Sequence, residues 1–303
     1  MPNREHPHNR LRGISFMIAA VFVFSIMDAL MKRLSAHYAP LQIACLRSLS
    51  SLVFLLPYIA WRRSWTSLRA SAPMLHAFRG LLGIIMLASF VFAVRRLTLA
   101  QTYSVFLAAP LLMTALSVPV HGERVSGRRW LAIACGMGGV LLILKPWGKS
   151  SFSMVAAAAA ALATVCYSLS ALTVRSLGRR NTSMAMVFWY LGLVGAGSGV
   201  LAISDWQPLA SPDWLWLAAV GVSGALGQLW LTEAFRQAPP SVVGPFEYTQ
   251  MLWAFGIDWI FWSASPSATL VIGAAIVVAS GIAVIFDERR LAELAINPAV
   301  APP

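Results

Sequence analysis

Charged residues are scarce in this sequence, and acidic residues are the scarcest. Lys and Arg number 23 and Asp and Glu number 11 among 303 residues, so charged residues make up 11% of the chain and apolar residues 58%. A typical soluble domain carries about 25% charged residues. Together with a mean hydropathy of +0.72, this composition argues against soluble domains and indicates an integral membrane protein.

Cysteine and histidine are also rare. Cys45, Cys135 and Cys166 all lie within predicted helices, and no CxxC spacing occurs, so the sequence predicts neither a disulfide framework nor a zinc site. The five histidines form no pair within the predicted membrane segments, and no haem or flavin motif is present. We therefore expect no metal and no cofactor.

The net charge of +12 is distributed in a way that indicates membrane topology. The basic residues are scattered between apolar runs and form no long tract, which argues against a nucleic-acid partner. With the N-terminus in the cytoplasm, sixteen Lys and Arg residues fall on the inner side and six on the outer side. Because cytoplasmic loops are enriched in Lys and Arg, we predict a multi-pass protein of the bacterial inner membrane with both termini in the cytoplasm.

The apolar residues form about ten long runs, and each is close to the roughly 20 residues that a helix needs to cross a bilayer. The runs are continuously apolar and do not alternate as barrel strands do, so helices are predicted. The predicted segments are 14–34, 40–61, 74–94, 98–119, 130–146, 152–174, 183–204, 214–235, 240–262 and 267–286.

A spaced motif occurs twice. Gly80-x-x-Gly83 with Arg95 recurs 141 positions later as Gly221-x-x-Gly224 with Arg236. Five segments per copy is an odd number, so the second copy enters the membrane from the opposite face, as in the inverted repeats of many transporters. The predicted fold is an all-α integral membrane protein with ten transmembrane helices in two inverted five-helix repeats. The predicted parts are an N-terminal tail at 1–13, repeats at 14–146 and 152–286, and a C-terminal tail at 287–303.

Longer motifs connect the chain with a known family. The stretch from His121 to Trp130, leading into Gly136–Leu142, resembles the end of an EamA repeat of the drug/metabolite transporter superfamily, and Gly244–Gln250 is similar to the corresponding passage of the second repeat. The resemblance covers about residues 14–286. It implies a ten-helix transporter of small metabolites, and the chain is most similar to the amino-acid exporter branch.

Ionisable side chains within membrane segments are candidates for a site because each costs about 2.5–3.5 kcal/mol near the centre of a helix. Five such residues occur, namely Asp28, Arg47, Glu233, Glu247 and Asp258. In the ninth segment, Glu247, Gln250 or Met251, Ala254 and Asp258 follow helical spacing and share one face. For Asp258 the sequence favours a structural role.

These candidates define a predicted cavity between the halves. Its predicted lining residues are Phe24, Asp28, Met86, Tyr103, Phe106, Tyr167, Gln228, Glu247, Tyr248, Gln250 and Trp253. Residues predicted to gate the cavity or kink a helix are His76, Arg79, Pro110, Gly244 and Pro245.

The sequence and the resemblance together predict a secondary transporter that exports small metabolites, amino acids in particular, by alternating access. An exporter of drugs or cationic compounds in the same family is the alternative. An intramembrane hydrolase is the remote third reading, because Gly221-Val222-Ser223-Gly224 fits a Gly-x-Ser-Gly pattern but every histidine precedes that serine. The expected partners are a small-molecule substrate and the lipid bilayer, with a homodimer left open.

Overall fold

The chain folds into a bundle of α-helices. The computed structural model describes residues 7–61, 65–121, 127–144, 154–177, 181–237 and 244–296, and none of these residues forms a β-strand. The helices are α1 (Pro7–Leu34), α2 (Pro40–Trp61), α3 (Pro73–Arg96), α4 (Leu99–Phe106), α5 (Ala109–His121), α6 (Gly127–Leu144), α7 (Met154–Leu177), α8 (Ser183–Leu201), α9 (Asp213–Gln237), α10 (Gln250–Trp262) and α11 (Ala268–Ile296). Short 3₁₀ turns occur at Trp65–Leu68, Ile203–Asp205 and Gly244–Thr249.

The predicted fourth segment, 98–119, is interrupted in the structure. α4 ends at Phe106 and α5 begins at Ala109. Pro110 explains the position of the break, because a proline has no amide hydrogen for the carbonyl four residues earlier and its ring crowds that carbonyl. The carbonyl in question belongs to Phe106, the last residue of α4.

The two terminal helices extend beyond the predicted segments. α1 begins at Pro7, where a proline is tolerated because the first helical amides have no partner in the helix. α11 continues to Ile296 because residues 287–296 contain no glycine or proline and are rich in helix-forming side chains. The outermost parts of the predicted tails, 1–6 and 297–303, lie outside the described residues, as does 122–126 of the family motif.

Among the residues that the structure describes, seven helical stretches are long and apolar enough to cross a membrane. They are Leu11–Leu34, Pro40–Trp61, Pro73–Arg96, Leu99–Leu116, Met154–Val174, Ser183–Leu201 and Asp213–Leu231. Leu99–Leu116 runs through the break between α4 and α5, so these two short helices form one membrane-length stretch. The protein is therefore a multi-pass membrane protein.

Packing pairs each early helix with a late one. α1 lies along α9, α3 lies along α7, and α6 lies along α11. α2 contacts both α8 and α9, and α3 also contacts α8. The largest core cluster, which includes Met31, Val94, Tyr103 and Val277, lies where these helices meet.

The repeated glycines occupy two of these crossings. A Cβ atom on Gly83 of α3 would lie 2.7 Å from Cγ2 of Val194 on α8, and one on Gly221 of α9 would lie 2.8 Å from Cβ of Ser50 on α2. Real Cβ atoms do not approach other atoms so closely, so only glycine permits the helices to pack at these distances.

Candidate functional site

A group of polar and aromatic side chains from seven elements is connected by hydrogen bonds and electrostatic interactions. We call it the central cluster. Its members are Asp28 of α1, Arg47 of α2, Arg79 of α3, Tyr103 of α4, Tyr167 of α7, Tyr190 of α8 and Glu247 of the 3₁₀ turn before α10.

The carboxylate of Asp28 is held by a helix that is distant in sequence. The Tyr103 hydroxyl donates a hydrogen bond to Oδ2 of Asp28, and both side chains are buried. Ser25 and Gln250 also interact with the Tyr103 hydroxyl. The structure thus brings together four polar residues of α1, α4 and α10 in an apolar bundle, where each hydrogen bond offsets the cost of burying a polar group.

An aromatic wall joins α3, α4 and α7 beside this group. The ring centroid of Phe90 lies 6.1 Å from that of Tyr103 and 5.7 Å from that of Phe106. Phe106 in turn lies 4.9 Å from Tyr167. These separations are those of stacked and edge-on aromatic pairs, which stabilise each other beyond simple burial.

Glu247 and Tyr167 lie close enough to interact electrostatically. Glu247, Tyr167 and Tyr190 are half-buried, so each keeps some accessible surface. Polar side chains that keep accessible surface between helices are candidates to border an internal space. Such a space, with few polar groups on an otherwise apolar lining, is typical of small-molecule sites.

Arg79 and His76 pack against the start of α8. Nη1 of Arg79 donates to the carbonyl of Met186 at 3.0 Å, and its guanidinium lies 4.7 Å from the ring centroid of Tyr190. The His76 ring lies 6.4 Å from the ring of Trp189. Gly83 makes room for Tyr190, because a Cβ there would lie 2.5 Å from the tyrosine ring.

Three other predicted lining residues pack against neighbouring helices. Phe24 packs over Gly227 of α9, and the Trp253 ring packs edge-on against Phe22 at 4.8 Å. The Tyr248 hydroxyl lies against Gly281 of α11.

The remaining candidates have the following places. Met86 is half-buried between α3 and α8, and Gln228 is half-buried on α9. Pro110 lies in the first turn of α5, and Gly244 and Pro245 begin the 3₁₀ turn before α10. Ser223 donates its hydroxyl to the carbonyl of Ala219 at 2.6 Å, within its own helix.

Two members of the central cluster, Arg47 and Tyr190, are absent from both the predicted lining and the predicted gate. Arg47 could have been included on the sequence alone, because a single arginine within an apolar helix is a costly and therefore informative residue. Tyr190 carries no such signal, since an aromatic residue in an apolar helix is ordinary. Its place in the cluster follows from the close approach of α3 and α8.

One end of the bundle is tied together by Asp258 of α10. Its carboxylate accepts hydrogen bonds from the amide of Leu99 at 3.1 Å and the amide of Ala100 at 2.7 Å. Nζ of Lys32 lies 3.5 Å from the same carboxylate and donates to the carbonyl of Leu97 at 2.9 Å. This arrangement agrees with the structural role that the sequence favours for Asp258.

Tyr38 and Gln42 link two further connections at that end. The Tyr38 hydroxyl donates to Oδ2 of Asp213 at 2.6 Å, and Gln42 exchanges two hydrogen bonds with the backbone of Gln207. Burial, together with the hydrogen bond to Asp213, raises the pKa of Tyr38 above its ordinary value. The tyrosine therefore remains a donor across the physiological pH range.

Comparison with known proteins identifies the family. The EamA-like transporter family model matches residues 11–145 and again 154–286. The chain belongs to the EamA-like transporter family. It is therefore a transporter and not an enzyme.

Curated relatives of this EamA protein are transporters of varied metabolites. It is 30% identical over 273 residues to the pseudopaline exporter CntI of Pseudomonas aeruginosa, covering 89% of this chain and 95% of that protein. It is 28% identical to a riboflavin transporter of Vibrio cholerae, covering 90% and 92% of the two chains. It is 22% identical to an S-adenosylmethionine uptake transporter of Rickettsia prowazekii, covering 92% and 94%.

A solved crystal structure has the same fold as this EamA protein. The two superpose with a TM-score of 0.65 over 92% of this chain and 98% of the other, at 19% sequence identity. At that identity the likeness concerns the fold alone.

Proposed function

We propose that this protein exports small metabolites, amino acids in particular, by alternating access through the space that the central cluster borders. The observation that carries the proposal is a pair of carboxylates, the buried Asp28 and the half-buried Glu247, beside hydroxyl and amide groups inside membrane helices. An ammonium group needs such acceptors when it leaves water. The substrate therefore carries an ammonium group that these carboxylates bind.

Ten crossings in two inverted halves are part of this proposal, because such halves suit alternating access. α4 with α5 forms the fourth crossing, and the 3₁₀ turn with α10 forms the ninth. Under the repeat, α1 corresponds to α7, α2 to α8 and α3 to α9. The contact between α1 and α9 then corresponds to the contact between α7 and α3. In the same way, the contact between α2 and α9 corresponds to the contact between α8 and α3. This twofold pattern supports two inverted five-helix repeats, whose rocking about a central site would move substrate.

The orientation is also part of the proposal. Connections predicted on the outer side contact each other through Tyr38 and Asp213, and connections predicted on the inner side contact each other through Ser71 and Asn181. This pairing supports the alternation of sides along the chain. From the excess of Lys and Arg we infer that the connections joined by Ser71 and Asn181, together with both termini, lie on the cytoplasmic side of the inner membrane. The homodimer stays a prediction.

A second candidate is an exporter of organic cations. The aromatic wall of Phe90, Phe106 and Tyr167 beside Glu247 favours it, because aromatic faces attract cations. Such a substrate would need the carboxylates but no anion-binding group.

Glu247→Gln tests the proposed role of the carboxylates. The variant keeps the shape of the side chain and removes its charge, so we expect uptake of labelled amino acids into proteoliposomes to fall about 10-fold or more, as for a lost charged hydrogen bond. Asp205→Asn removes an exposed carboxylate and should keep uptake within about twofold. Wild-type rates in Glu247→Gln would remove this residue from the site, and transport of organic cations without amino acids would favour the second candidate.

A further inference from the structure

Arg47 is a buried cation without an oxygen acceptor for its guanidinium donors among the described residues. Only 8% of its surface is exposed, and it lies in α2 between α1 and α8. Its Nε has only a weak acceptor, Sδ of Met27, at 3.4 Å. Its buried Nη1 has no hydrogen-bond partner among the described residues.

Asp28 does not satisfy this guanidinium. The two side chains interact electrostatically, but they form no ion pair within 4.0 Å, and the Asp28 carboxylate is bonded to Tyr103. A buried donor without an acceptor loses its hydration and receives nothing in exchange. An acceptor that enters the bundle beside Arg47 would therefore meet a donor that has no other partner.

The other cations within these helices have strong partners. Nη1 of Arg79 donates to the carbonyl of Met186 and its guanidinium lies over the Tyr190 ring, although its buried Nε has no hydrogen-bond partner. Lys32 donates to the carbonyl of Leu97 and to Asp258. In contrast, Arg47 has no oxygen acceptor among the described residues, which leaves its guanidinium donors for a ligand.

We propose that Arg47 binds the carboxylate group of the transported substrate, while Asp28 and Glu247 face its ammonium group. This inference rests on the proposed function and names the substrate class as metabolites that carry both groups. The planar guanidinium presents two parallel donors that match the two oxygens of a carboxylate, which a lysine ammonium does not. The electrostatic interaction of Arg47 with Asp28 means that the site holds charges of both signs, as a dipolar substrate requires.

The test uses three probes that differ in one group each. L-Phenylalanine carries both charges, its methyl ester lacks the carboxylate, and 3-phenylpropanoate lacks the ammonium. The purified full-length protein is compared with Arg47→Gln, Arg47→Lys and the control Arg95→Gln, which removes an exposed arginine of α3. Uptake of labelled phenylalanine into proteoliposomes, competition by the ester, and thermal stabilisation by 3-phenylpropanoate are measured.

For the wild type and Arg95→Gln, we expect phenylalanine to compete at least 10-fold better than its ester, and 3-phenylpropanoate to raise the melting temperature. In Arg47→Gln, uptake of phenylalanine should fall at least 10-fold, its advantage over the ester should shrink to within threefold, and the stabilisation should disappear. Arg47→Lys keeps the positive charge but loses the paired donors of the guanidinium, so phenylalanine should keep a reduced advantage over its ester. This variant also tests the proposal if Arg47→Gln does not fold.

Different results would overturn different claims. Phenylalanine uptake with an unchanged advantage over the ester in Arg47→Gln overturns the inference and leaves the proposed function standing. An equal loss for phenylalanine and ester in Arg47→Gln also overturns the inference, because it indicates a structural role. Stabilisation by 3-phenylpropanoate that depends on Arg47, without transport of any amino acid, overturns the proposed substrate and supports the anion site. Absence of both effects in the wild type overturns both.

Discussion

Gly281 of α11 shows how tightly single residues are packed near the central cluster. The Tyr248 hydroxyl occupies the place where a side chain at position 281 would begin. Tyr248 is 5% exposed and belongs to the main core, so it has little room to move. Glycine is therefore required at this position by the neighbouring tyrosine.

Gly281→Ala should destabilise the protein. Overpacking of a filled core costs about 1–3 kcal/mol, and we expect a lower melting temperature of the purified protein in detergent. The matched control is Gly256→Ala in α10, where a Cβ would meet nothing within 4 Å and helix propensity favours alanine by up to about 1 kcal/mol. Equal melting temperatures for the two variants would mean that Tyr248 moves aside without lowering the stability of the protein.

The residues of the site were predictable to different extents. Asp28 and Glu247 could be singled out because a carboxylate within an apolar membrane segment is costly and therefore often functional. That Tyr103 bonds to Asp28 was not predictable, since the two residues are 75 positions apart in sequence. Trp253 illustrates the same limit, because helical spacing defines a face of α10 but not the neighbour that this face meets.

The start of α4 shows how an element can depend on a distant residue. Thr98 and Gln101 form a capping box within the helix. Asp258 of α10 supplies two further acceptors, for the amides of Leu99 and Ala100. The first amides of a helix have no partner within it, so α4 begins where local and distant acceptors coincide.

Asp258→Asn should weaken this helix start. The amide replaces one acceptor oxygen by a donor that faces a backbone N–H, and a buried donor left unpaired costs about 1–3 kcal/mol. The charge opposite Lys32 is also lost. The melting temperature in detergent should fall, while Asp205→Asn, in an exposed position, should leave it unchanged. Retained stability in Asp258→Asn would show that α4 is held by its own capping box.

The break between α4 and α5 shows how far the sequence predicts the helices of the fourth segment. Pro110 predicted a lost hydrogen bond, and the apolar run predicted one membrane segment. Both features exist together in the structure, because Leu99–Leu116 is still long enough to cross a membrane. The exact residues of the interruption depend on the packing of α4 against α7 and α10, which no local pattern contains.

At the scale of the whole molecule, the repeated glycines connect sequence and architecture. Each copy places a glycine where a helix from the other half approaches, as Gly83 does for α8 and Gly221 for α2. Spacing alone predicted the repeat. The helix that each glycine meets could not be predicted, because equivalent helices of the two halves exchange neighbours across the bundle. The substrate is harder still to predict, since the ionisable residues of the central cluster are not repeated.

The orientation of the molecule can be tested at the two ends of α8. Ser183 begins this helix, Ser211 lies in the connection that follows it, and both are exposed. The 19 residues of α8 span about 28 Å, close to the thickness of a hydrocarbon core. In a background in which the exposed Cys135 is replaced by serine, a membrane-impermeant maleimide applied to intact cells should label Ser211→Cys and miss Ser183→Cys. Permeabilised cells should label both, which controls for reactivity. Labelling of Ser183→Cys alone in intact cells would contradict the orientation inferred from the excess of Lys and Arg. Both termini would then lie outside the cytoplasm.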